Sequence, residues 1–321
     1  MKPNTTSLKL LLGLPLALVT AFSAVAAAQQ TPAAEGIPVR ITVTAVSREK
    51  GQEPPALTKE DFLVYQNHQR RPVLEAVRQT GPADKLDLYV IVDDSISSDV
   101  TLNYPDVKNF ISELPSTARV GVGYALNGMV TVAQDLTDNR DAAMKKLRIP
   151  FGRIGAAGGI YISLADFAKR PPPDANRRRA ILFLSSGIDL YRGYRDSYAS
   201  LNTDLQTAIN RLNRSGITVY SIYVSPAAHF LRNLFLVSNG QDCLSRLADE
   251  TGGEAYFQGF QTPVEMKPFL NEMLQHLNNQ YVVTFAAKPV KKSQYAGIRV
   301  ATEVSGVDVT GPDEVYVNVP K

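Results

Sequence analysis

Leu88-Tyr89-Val90-Ile91-Val92-Asp93-Asp94-Ser95-Ile96-Ser97 is the stretch on which the fold turns. Five consecutive apolar residues, most of them β-branched or aromatic, suit a central parallel strand buried on both faces. The polar residues that follow at once end the strand with a carboxylate and two hydroxyls. Working outward, short apolar runs alternate with helical patterns. Asp106–Leu114 reads as a helix, and Val120–Leu126 with Met129–Val132 as a hairpin around Asn127-Gly128. Ile160–Lys169 is amphipathic, Ala180–Leu184 and Ile217–Val224 are buried strands, and Leu201–Asn213 lies between them as a helix. A helix Gln241–Glu250, a Gly252-Gly253 stop and a short strand Ala255–Phe257 complete the series. Alternation of this kind predicts an α/β fold, a doubly wound, mostly parallel sheet with helices on both faces over residues 84–260. Ligands of such sheets bind at the carboxyl ends of the strands.

Farther out the rhythm becomes purely β. Val39, Ile41, Val43 and Ala45 alternate with Arg40, Thr42 and Thr44, which is a half-buried strand. Phe62–Tyr65 and Pro72–Val77 follow within the segment 37–83. Beyond residue 261 a helix Val264–Asn279 precedes three β runs, Tyr281–Ala286, Ile298–Val304 and Val315–Val319. Neither terminal segment can bury its apolar face alone. The expectation is one small β-sandwich formed by the N- and C-terminal segments, 37–83 with 261–321, around the inserted α/β domain.

The first 28 residues read as a secretory signal peptide: Lys2 and Lys9, an apolar run Leu10–Phe22, then small residues to Ala28. Residues 29–36 read as a disordered leader. The expected protein is exported, periplasmic or secreted, with no membrane insertion after signal cleavage, since no later run is long and apolar enough to span. Removing the signal lowers the net charge from +3 to +1, because two lysines and no acid go with it. Near-neutral charge provides no general attraction to nucleic acid, so a nucleic-acid partner is not expected. Cys243, the single cysteine, excludes an intrachain disulfide and is expected to be buried beside Leu244 and Leu247.

Asp93, Ser95 and Ser97 form an Asp-x-Ser-x-Ser pattern at a strand's carboxyl end, hard oxygen donors suited to Mg²⁺ or Mn²⁺. Capping of the following turn by Ser95 and Ser97 is the alternative use of those hydroxyls. The segment resembles the metal-ion-dependent adhesion site of von Willebrand factor A domains, over roughly residues 86–258. Leu57-Thr58-Lys59-Glu60-Asp61-Phe62, Thr251-Gly252-Gly253-Glu254-Ala255-Tyr256-Phe257 and Gln280-Tyr281 extend the likeness to exported VWFA-related proteins of the acidobacterial type. That resemblance implies a Thr ligand from a second loop and an Asp from a third. Here the corresponding residues are Gly158, in Gly155–Tyr161, and Ser186, in Ser185–Asp189. The metal site is thus degenerate, with Asp94 and Asp189 as auxiliary carboxylates.

The same edge carries Tyr191, Arg192, Tyr194 and Arg195, with Tyr161 and Phe230 on neighbouring loops. Tyrosine and arginine are enriched in protein-binding hot spots, so these six are the expected partner-binding residues; tyrosines packed on their own domain are the alternative. Arg177-Arg178-Arg179 reads as a solvated loop at the opposite edge. His68, His229 and His276 lack zinc-type spacing, and His276 reads as a surface residue. No Gly-x-Ser-x-Gly elbow or P-loop occurs. The expected function is a protein-binding or adhesion module, metal-assisted or not, and not an enzyme. An exported metal-dependent hydrolase centred on Asp93 is the alternative, and it would need a general base and a firmly held metal.

Overall fold

β1 (Ile37–Ser47) runs through the middle of an antiparallel sheet whose other strands lie far away in sequence. The computed structural model describes residues 1, 36–49, 51–152, 158–172, 174, 176–227 and 233–319. The expected signal peptide and nearly all of the leader lie outside the described residues. β2 (Leu63–Gln66), β3 (Gln69–Arg71) and β4 (Val73–Arg78) complete the N-terminal segment. The α/β part follows as β5 (Leu86–Asp93), α1 (Tyr104–Glu113), β6 (Arg119–Leu126), β7 (Met129–Thr137), α2 (Arg140–Met144), α3 (Ile160–Phe167), β8 (Arg178–Ser185), α4 (Thr203–Arg214), β9 (Ile217–Tyr223), α5 (Leu234–Glu250) and β10 (Ala255–Tyr256). α6 (Lys267–Asn278) leads into β11 (Gln280–Ala287), β12 (Gln294–Ala301), β13 (Val307–Thr310) and β14 (Glu314–Val317).

The central sheet has the order β10-β9-β8-β5-β6-β7, parallel throughout except for the β6–β7 hairpin. Asn127 and Gly128 both take positive φ, as a tight hairpin turn of this sheet twist demands. Alternation along β5 decides which helices cover which face. Leu88, Val90 and Val92 pack with α1 and α6, whereas Ile91 packs with α3, α4 and α5. Every one of these side chains is excluded from solvent, as a doubly covered parallel strand requires. The doubly wound sheet expected from the sequence is present.

The terminal segments form two four-stranded sheets, β13-β1-β11-β4 and β14-β12-β2-β3. Ile37 to Thr44 pair antiparallel with Ala287 to Gln280, and Leu63 to Gln66 with Ala301 to Ile298. Ile41, Val43, Val64, Tyr281, Phe285 and Ile298 share the core between them. Each sheet thus takes strands from both ends of the chain, and the expected sandwich forms.

Three elements differ from the expectation. α5 begins at Leu234, not Gln241, because Asn233 caps it by accepting from Leu236 N at 3.2 Å. The Ser238-Asn239-Gly240 stretch hid those first turns; a glycine stands at 240 because Ser186 O leaves no room there for a Cβ. β13 is a fourth C-terminal strand, set apart from β12 by a turn. α6 packs on the central sheet through Met266, Leu270, Met273 and Leu277 rather than on the sandwich.

Candidate functional site

β5 is flanked by β6 on one side and β8 on the other, with helices leaving to opposite faces. Its carboxyl end is therefore the switch point, where a crevice opens in such sheets. Asp93 stands there with its side chain fully buried. Its Oδ1 accepts hydrogen bonds from Ser95 N at 2.9 Å and Ser95 Oγ at 2.6 Å, and its Oδ2 accepts from Ser185 Oγ at 2.7 Å. Burial pushes the Asp93 carboxyl above its usual range, and the hydrogen bonds from Ser95 and Ser185 pull the other way. Ser97 takes the capping role: its Oγ accepts from Asp99 N at 3.2 Å at the start of the turn 98–103. Ser185 was not singled out from sequence, yet it seals the second oxygen of Asp93.

The two auxiliary carboxylates are engaged elsewhere. Arg148 grips Asp94 with both terminal nitrogens, at 2.8 and 2.7 Å, and Phe151 N donates to it at 2.9 Å. The same guanidinium lies over the Tyr124 and Phe151 rings, 3.7 and 4.1 Å from their centroids. Asp189 accepts from Gly159 N at 3.0 Å and Tyr191 N at 2.9 Å, with Tyr161 N more distant at 3.5 Å. It thereby satisfies amides at the start of α3, the usual place for a carboxylate. Gly158 lies against Tyr191, and Gly155-Ala156-Ala157 are outside the described residues. Ser186 is buried, its Oγ accepting from Ile188 N at 3.4 Å. Of these three carboxylates Asp93 alone is left for a cation, and both its oxygens already accept from protein donors. This donor set does not fit a tightly held Mg²⁺ or Mn²⁺, which takes carboxylates with open oxygens. A buried carboxylate closed off in this way also has no exposed oxygen to act as a base on a substrate.

Of the expected partner-binding residues, Tyr191, Arg192, Tyr194 and Arg195 lie exposed on the loop after β8. Arg192 forks onto Asp204 at 2.7 and 2.9 Å, which ties this loop to the first turn of α4. Tyr161 is a correction: it faces inward from α3, fully buried, its hydroxyl donating to Gly187 O at 2.8 Å. Its place on the apolar face of an amphipathic helix carries it into the core. Phe230 lies outside the described residues. The structure adds neighbours outside the six residues expected to bind a partner. Phe235, at the start of α5, stacks on Tyr194 at 6.2 Å with rings 8° apart, and Tyr198 meets it edge-on at 5.5 Å. Leu201 and Leu234 are exposed as well.

At the other end of the sheet the arginine cluster is also a correction. Arg177 and Arg119 both contact Asp87, at 2.6 Å each, and Arg178 pairs with Asp84. Arg178 and Arg179 are buried, not solvated. A cleft of about 250 Å³ opens beside them, between β1 and the start of β9. Its arginines line a structural junction rather than the strands' carboxyl edge. His276 is a third correction: its side chain is 12% exposed and lies against Tyr220, 6.3 Å between ring centroids, and burial lowers its basicity. Cys243 is buried as expected.

No family model matches the chain, and no curated protein matches it. Among solved structures, the chain is similar to an aerotolerance-related membrane protein from Bacteroides fragilis carrying multiple mutations to serines. The identity is 12%, over 60% of this chain and 98% of that one, with a TM-score of 0.42. BatB, a conserved hypothetical protein from Bacteroides thetaiotaomicron, gives 10% identity over 60% and 96%, with a TM-score of 0.40. The SpRpn10 VWA domain gives 13% over 60% and 93%, with a TM-score of 0.35. Likenesses this distant carry no functional argument; the fold stands on strand order and pairing, and the chain is similar in architecture to VWA-domain proteins.

Proposed function

We propose that this protein is a non-catalytic protein-binding module, acting outside the cytoplasm, whose partner docks on the carboxyl edge of the central sheet without a bridging cation. The observation that carries this reading is the group of exposed apolar side chains at this edge: Tyr191, Tyr194 and Phe235 are 65%, 50% and 46% exposed, Tyr194 and Tyr198 are in ring contact with Phe235, and Leu201 and Leu234 are exposed as well. Ring contacts gather Tyr194, Tyr198 and Phe235 together before any partner arrives, which limits the side-chain freedom those three lose on docking. Arg195 and the Arg192–Asp204 fork supply a polar border, the arrangement of an interface core and rim. The closed hydrogen bonding of Asp93 supports cation independence, and the charge pattern of the first 28 residues supports export.

The test uses immobilised protein with its binding partners captured from the native extracellular fraction. Capture that survives EDTA, survives Arg48→Ala on the sandwich, and falls at least about tenfold in Tyr191→Ala/Tyr194→Ala supports the reading. Equal capture by the wild type and the double variant sinks it. Binding abolished by EDTA and by Asp93→Ala alike overturns the cation-independent part.

A further inference from the structure

Glu272 and His276 stand one turn apart on α6, and Glu254 reaches toward them from the segment entering β10. One ligand atom from each, two carboxylate oxygens and an imidazole nitrogen, lie within 4.8 Å of one another. His276 Nδ1 is 3.4 Å from Glu254 Oε2. Donors bound at about 2.1 Å to a common tetrahedral ion are separated by about 3.4 Å. One of the three pairs already has that spacing, and Glu272, on the exposed face, is free to swing in.

Among the described residues no lysine or arginine comes within 4.0 Å of either carboxylate, and His276 is the sole ion-pair partner of Glu254. A second observation is independent of the acids themselves. The Tyr256 hydroxyl is buried without a hydrogen-bond partner, on a residue only 5% exposed. Burial, and after it the charge of Glu254, push its pKa up, and its ring stacks on Phe269 at 5.5 Å. A buried hydroxyl of this kind needs an explanation. A metal-bound water beside the two glutamates would provide its missing partner.

We propose that Glu254, Glu272 and His276 form a binding site for a divalent transition-metal ion of the zinc class, with water in the remaining position. One imidazole and two carboxylates suit Zn²⁺, or Co²⁺ as its substitute; the imidazole disfavours Mg²⁺ and Ca²⁺. The site is separate from Asp93: Glu254 leads into edge strand β10, which two strands, β9 and β8, separate from β5. An ion here clamps α6 to the segment entering edge strand β10, and so fixes the helix that delivers β11 to the sandwich.

Calorimetric titration of the EDTA-treated full chain with Zn²⁺, and separately with Mg²⁺, tests the site. The expected result is saturable one-to-one zinc binding and no magnesium binding. Loss of a true ligand should weaken zinc by more than about 100-fold, since even outer-shell losses cost 10–100-fold. That weakening is expected in His276→Ala and Glu272→Gln, but not in Asp93→Ala or His68→Ala. Glu272 is exposed, so Glu272→Gln tests the site without threatening the fold, and Co²⁺ absorption reports whether a four-coordinate ion is held through His276. Zinc binding unchanged in both His276→Ala and Glu272→Gln, or no zinc binding by the wild type, overturns the proposal.

Discussion

Asp84→Ala is the substitution whose cost can be worked out most directly. Arg178 is 1% exposed at its side chain, and Asp84 is the carboxylate that faces it. The guanidinium also donates to Leu277 O at 2.8 Å and to Gln280 Oε1, so one arginine ties β8 to the end of α6 and the start of β11. Burial pulls the Arg178 guanidinium down from its usual range and Asp84 opposes that pull, yet arginine stays charged in proteins. Removing Asp84 therefore strands a buried positive charge, which costs about 3–5 kcal/mol. At roughly 2–4 °C per kcal/mol for a protein of this size class, Tm should fall by about 6–20 °C. Urea unfolding followed by circular dichroism measures the loss. The second arm is Asp84→Ala/Arg178→Met, which removes both charges and should be more stable than Asp84→Ala alone. A cost below about 1 kcal/mol for Asp84→Ala, the range of exposed pairs, or strict additivity in the double variant, would refute a dry junction.

Other consequences are simpler. Gly187→Ala should destabilise by on the order of 3 kcal/mol or fail to fold, since its φ is +70° and its Cβ would meet Gly240 O at 2.1 Å; a thermal melt indistinguishable from wild type contradicts that close approach. Ser185→Ala should cost about 1–3 kcal/mol in urea unfolding by leaving Asp93 Oδ2 short of its donor, and no loss would mean that water replaces the hydroxyl freely. Burial pushes the Cys243 thiol up to about 12, so at pH 8 iodoacetamide should label the native protein no faster than it unfolds; prompt labelling would place the thiol at the surface. Arg48 and Asp308 form an exposed pair, and Arg48→Ala should leave the melting curve unchanged.

How far the sequence could be read depended on the range of the interaction. β5 and β8 were visible because burial on both faces forces continuous apolar runs, and the Asn127-Gly128 hairpin because its backbone demands those residues. The pairing of β1 with β11 followed from a balance: two half-buried segments each needed a cover. Asp94 was misread as an auxiliary ligand because its partner, Arg148, lies 54 residues away and no local pattern couples them. The arginine cluster looked solvated for the same reason, since its partners Asp84, just before β5, and Asp87, within it, lie 94 residues from Arg178 and 90 from Arg177. Tyr161 was legible in principle. Ile160, Tyr161, Leu164 and Ala165 follow helical spacing, which points Tyr161 inward, but its position after a loop drew attention to the wrong neighbour. Glu272 and His276 carried an i, i+4 signal on a predicted helix, while Glu254, on the separate segment entering β10, could be joined to them only in three dimensions.

The interleaving of the terminal strands sets an order of events for folding. Ile37 finds its partner at Ala287, so β1 remains without a neighbour until the C-terminal strands reach it. The central sheet draws its strands and covering helices from residues 86–278, and its consecutive β-α-β units close over short separations. That layer can assemble while the sandwich still lacks half its strands. Closure of β1 on β11 is then the last and slowest step, because contacts between distant residues form slowly. Until then Ile41 and Val43 present an uncovered apolar face and β1 an unpaired edge, and this interval is when the folding chain is most exposed to pairing with another copy of itself.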